Sequence, residues 1–68
     1  MTNNGIIIEV TDGMRKGQFG IAYTREQEDM FRQSERLYVH FYEDESLEIN
    51  RGKGLVSIKF CKLIGYVN

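Results

Sequence analysis

Arg15 and Lys16 stand before Gly17, and Arg51 and Lys53 flank Gly52, so four cations lie in two glycine-bearing segments. Guanidinium and ammonium groups fix phosphates, and aromatic faces stack unpaired bases. If the fold brings the two segments to one edge, with Phe19, Tyr23, Tyr38 or Tyr42 beside them, these cations would make a sequence-tolerant site for RNA or single-stranded nucleic acid. A second set has the opposite character. Tyr38 and Tyr42 precede Glu43, Asp44 and Glu45, an acidic surface suited to a basic patch on another protein, with tyrosines of the kind that anchor interfaces. A formal net charge of −1 and a pI near 5.7 lack the strongly basic footprint of a dedicated nucleic-acid binder. A protein partner is therefore the leading expectation, and direct nucleic-acid contact the second.

The remaining reactive residues point away from catalysis. His40 is the only histidine and has no serine or cysteine at a nucleophile motif, whereas a triad needs nucleophile, base and orienter together. Glu43, Asp44, Glu45 and Glu48 offer oxygens that suit calcium or magnesium, but they lack the spacing of an EF-hand loop and read as a solvated turn. Neither Lys16-Gly17 nor Gly52-Lys53-Gly54 has the spacing of a phosphate-binding P-loop. The single cysteine, Cys61, can form neither an internal disulfide nor a zinc site alone, and reads as a thiol packed like a small hydrophobe. No enzyme, metal or cofactor is expected.

The elements that must carry these residues are short strands. Ile6, Ile8 and Val10 alternate over Ile6–Thr11, the period of a half-buried strand. Further strands are expected at Gly20–Thr24, at Leu37–Tyr42, at Leu47–Asn50 and at Leu55–Phe60. A turn is expected at Arg51–Gly54, and a short helical turn with a closing strand in the tail 61–67. Residues 25–36 lose the alternation. Thr24 and Gln27 have capping-box spacing, but few apolar residues follow, so this stretch reads as a mobile or partly helical insertion, or else as longer second and third strands that turn near Gln33-Ser34. Ile6, Ile8, Val10, Val39, Phe41, Val56, Ile58 and Phe60 fall on the apolar phase and form the expected core.

Ile8, Val10, Gly13, Lys16, Gly17 and Gly20 also match the offsets of the KOW motif, with Ala22 in place of its final valine. The chain thus resembles the KOW family, found in ribosomal proteins and NusG-type transcription factors. The resemblance implies an all-β, SH3-like barrel of about five strands, with a longer, part-helical loop near 25–36, filling 1–68 as one domain. It further implies a binding module for RNA, protein or both. A small adaptor docking on a nucleic-acid machine such as RNA polymerase or the ribosome would fit, and the short length would suit a phage-encoded accessory protein. A barrel that completes an oligomer through an open strand edge is the third expectation.

Size and charge set the outer bounds. Sixty-eight residues bury only about 60% of the surface the unfolded chain exposes, leaving little room for a deep substrate cleft. No apolar run nears the roughly 18 residues of a membrane span, and the first residues lack the basic start and apolar stretch of a signal peptide. A soluble, cytoplasmic protein is expected. Charge is unevenly spread: residues 26–48 carry a net −6, whereas 49–68 carry +4 with no acid. Such asymmetry bears on partner choice more than the total does.

Overall fold

The computed structural model describes residues 4–30 and 35–68. Its elements are β1 (Gly5–Val10), β2 (Phe19–Tyr23), α1 (Thr24–Met30), β3 (Arg36–Tyr42), β4 (Asn50–Ser57), a 3₁₀ turn (Ile58–Phe60) and β5 (Cys61–Val67). The strands form one five-stranded sheet in the order β4-β3-β2-β1-β5, with every neighbouring pair antiparallel.

This architecture corrects the barrel expectation. β4 and β5 are the two edges, and no ladder joins them, so the sheet stays open. Among the described residues the fold is a small all-β domain with one short α-helix. In the stretch 25–36, α1 supplies the helical part, while 31–34 lies outside the described residues.

Alternation explains the buried side. Ile6 faces Ala22 and Ile8 faces Gly20 across β1–β2, and Gly20 faces Phe41 across β2–β3. Cross-strand partners share a face, so these residues and Val39 turn the same way. Ile8, Val10, Ala22, Val39 and Phe41 are each at most 2% exposed, with Ile6, Leu37, Val56, Phe60 and Cys61 packed against them. Gly20 makes this possible. A Cβ there would stand 2.2 Å from Val39 Cγ1 and 3.1 Å from the His40 carbonyl oxygen, so only glycine lets β3 close in.

Three local expectations fail for identifiable reasons. β4 runs straight through the expected Arg51–Gly54 turn, absorbing the extra length as a bulge: His40 pairs with Lys53, but Tyr42 with Asn50. The expected strand at Leu47–Asn50 is instead a turn whose Leu47 has φ +58°, with only Asn50 joining β4. The strand expected to reach Phe60 ends at Ser57. The 3₁₀ turn then swings Ile58 outward to 49% exposure, removing it from the expected core. The tail 61–67 is all strand, with its helical turn immediately before it.

Candidate functional site

The two glycine-bearing segments do approach each other, but for a structural purpose. The Arg15 guanidinium lies 4.0 Å from the Phe41 ring centroid. Its Nη1 donates to Gln18 Oε1 at 3.0 Å and to the Arg51 carbonyl at 2.9 Å. Arg15 therefore ties the β1–β2 turn to the bulge of β4. Arg51 is ion-paired with Glu43. Of the four cations only Lys16 and Lys53 remain exposed without a partner among the described residues.

The acidic and tyrosine set is likewise partly committed. Glu43 is held by Arg51. Asp44 Oδ1 accepts from the Ser46 hydroxyl and, at 3.0 Å, from the Ser46 N–H. These two bonds hold its carboxyl below the usual carboxylate range, so Asp44 shapes the turn. Glu45 is exposed. Tyr38 and Tyr42 are half-buried on the outward face of the sheet, Tyr42 opposite Phe19 and Tyr38 opposite Leu55. Between them His40 meets Glu26 Oε1 at 2.8 Å and packs in T-shaped contact with Tyr23 and Tyr38, with centroids at 5.4 and 5.7 Å. His40 is thus surrounded by a carboxylate and two phenols. A cleft of about 630 Å³ opens beside it, lined by Tyr23, Arg25, Glu26, His40 and Val67.

Cys61 is half-buried, its Sγ donating to the Ser57 carbonyl at 3.4 Å. Burial pushes its thiol up. Among the described residues no group of three His, Cys, Asp or Glu could hold a metal ion. No helix among them is long and apolar enough to cross a membrane.

The two sheet edges differ in charge. Each carries a bulge, β4 opposite Phe41 and β5 at Ile64, where the β1–β5 register shifts. β4 adds Arg51 and Lys53, cations that discourage strand addition. β5 carries one cation, Lys62, and exposes Leu63 at 50%, Ile64 at 44% and Tyr66 at 55%. None of these three is prominent in the sequence, where Leu63-Ile64 reads as ordinary closing-strand apolar content. The signal that could have found them is the surplus of large apolar residues over what so small a core can cover.

Compared with protein-family models, curated proteins and solved structures, the chain finds no match in any of the three. With neither a closed barrel nor a family match, the KOW reading of Ile8, Val10, Gly13, Lys16, Gly17 and Gly20 is withdrawn. Hairpin geometry alone accounts for the glycines: Gly13 and Gly17 sit at φ +84° and +92°, and Gly20 allows the close approach of β3.

Proposed function

We propose that this chain is a non-enzymatic, cytoplasmic binding module that takes an extended segment of a partner protein along β5. The observation that carries this reading is the unpaired apolar edge of β5, with Leu63, Ile64 and Tyr66 all exposed. An edge strand presents free N–H and C=O groups, and an added strand gains affinity from main-chain bonds and specificity from alternate side chains. Lys62 in β5 and Lys59 just before it belong to the +4 block at residues 49–68, which favours a segment with flanking acids and disfavours a second copy carrying the same lysines. The commitment of Arg15 and Arg51 to internal contacts favours a protein over a polyanion. A lone half-buried thiol suits a reducing compartment. The link to RNA polymerase or the ribosome rested on the KOW resemblance and falls with it.

The test is capture from lysate with and without nuclease, followed by amide hydrogen exchange on the complex. The expected result is a nuclease-resistant protein partner that slows exchange across 61–67 and leaves β4 unchanged. A footprint that spares β5, or a partner lost with nuclease, would overturn the reading.

A further inference from the structure

Where β4 and β5 diverge, the open sheet leaves a second cleft of about 380 Å³. Its floor is apolar: Val10 is fully buried, and Val56 and Phe60 are half-buried at the margin of the core. Met14 stands on its lip, entirely exposed, an adaptable thioether chain able to fold over an apolar guest. The other wall is cationic. Arg36, the first residue of β3, is exposed and has no partner among the described residues. Arg15, held over the Phe41 ring and bonded through Nη1, adds positive charge to this wall without being free to move to a ligand. Among the residues that line the cleft the one acid is Asp12, which accepts the Gly13 N–H at 2.8 Å and so belongs to its own turn; Glu35, beside Arg36 in the chain, is exposed.

We infer that this cleft binds the C-terminal residue of a partner protein: an apolar side chain on the Val10, Val56 and Phe60 floor, with its carboxylate at Arg36. Charge complementarity selects an anion, and a planar guanidinium can hold a carboxylate through two parallel bonds. The volume lies near the bottom of the roughly 300–1,000 Å³ range of ligand sites, enough for one large side chain with its carboxylate. The inference rests on the chain being a protein-binding module, yet its residues are disjoint from Leu63, Ile64 and Tyr66.

The test is an NMR titration of the full chain with N-acetyl-phenylalanine, compared with its uncharged C-terminal amide. The carboxylate is expected to bind in the millimolar range and to shift the amides of Gly13, Met14, Ser57 and Phe60. The amide analogue and the R36Q variant should each weaken binding at least about tenfold, the loss of a charge-assisted bond. R36K, which keeps the charge, should restore part of it, and R25Q, at the other cleft, should change nothing. Equal binding of the two probes, indifference to R36Q, or shifts confined to β5 would overturn the inference. If partner capture through β5 fails while the probe still binds in an Arg36-dependent way, the strand-addition reading falls and the cleft stands.

Discussion

The side-chain amide of Gln27 stands in for a strand opposite Tyr38: its Oε1 accepts the Tyr38 N–H at 2.8 Å, and its Nε2 donates to the Tyr38 carbonyl at 2.9 Å. β2 pairs with β3 only over Phe19–Ile21. Continued, that register would bring Tyr23 opposite Tyr38, but the chain turns into α1 at Thr24. Gln27 fills the gap and also donates to the Tyr23 carbonyl at 2.9 Å. One polar side chain thereby completes the ladder that the helix interrupts.

Gln27→Ala should therefore destabilise the fold by about 2 kcal/mol, since each bond contributes roughly 0.5–1.5 kcal/mol net and the backbone groups of Tyr38 lose their partners. Gln27→Glu keeps the acceptor for the Tyr38 N–H but sets a carboxylate against two carbonyls, so at neutral pH it should not rescue the loss. Urea denaturation of the three proteins decides this. Wild-type stability in Gln27→Ala would mean that the amide is a bystander.

Two glycines should respond differently to the same added methyl group. Gly20→Ala drives a Cβ into Val39 and should cost about 1–3 kcal/mol through overpacking. Gly17→Ala meets no atom within 4 Å and should cost only the ~1–2 kcal/mol of left-handed backbone at φ +92°. Val39→Ala combined with Gly20→Ala should recover part of the Gly20 loss, because the two side chains compete for one space. Additive losses in the double-mutant cycle would refute that coupling.

These contacts mark where the sequence is informative. The alternation in β1 and β3 makes Ile8, Val10, Val39 and Phe41 legible as core, since a strand with one dry face must place every second residue there. Ile58 follows the same alternation yet is exposed, because the backbone changes to a 3₁₀ turn at its own position. Sheet closure depends on whether β4 meets β5, a long-range relation that no local period encodes. The same limit hides the apolar edge of β5 and the cleft beside Arg36. Gln27 is visible only as a capping residue, because its real partner, Tyr38, lies eleven positions away.

Cys61 should make stability fall at alkaline pH. Burial raises its folded-state pKa above the unfolded value, so the native state binds the thiol proton more tightly. That contribution is fully present below the ordinary thiol pKa of about 8.5 and is lost as pH rises through the folded value. Between about pH 7 and about pH 10, wild type should lose more stability than Cys61→Ala, which shares every other titrating group. Parallel curves for the two proteins would show that the thiol is equally solvated folded and unfolded. Iodoacetamide, which needs the thiolate, should also react more slowly with the folded chain than with the urea-unfolded one.

Arg15 and Lys16 are adjacent cations with different roles, and substitution separates them. Arg15→Ala removes a guanidinium from the Phe41 ring, a hydrogen bond within the β1–β2 turn and another that ties this turn to β4, so a loss of about 1–3 kcal/mol is expected. Lys16→Ala, at an exposed side chain without a described partner, should stay within about 0.5 kcal/mol of wild type. The same division constrains nucleic-acid binding. Four free cations on a single strand would give a salt slope near 3, at about 0.7 per neutralised phosphate, whereas Lys16 and Lys53 alone would give about 1.4. So weak an attraction should vanish at moderate salt in an RNA titration. A slope near 3 that falls when both lysines are replaced would require Arg15 and Arg51 to leave Phe41 and Glu43 for phosphate. That result would put the polyanion, and not a protein segment on β5, first among the partners.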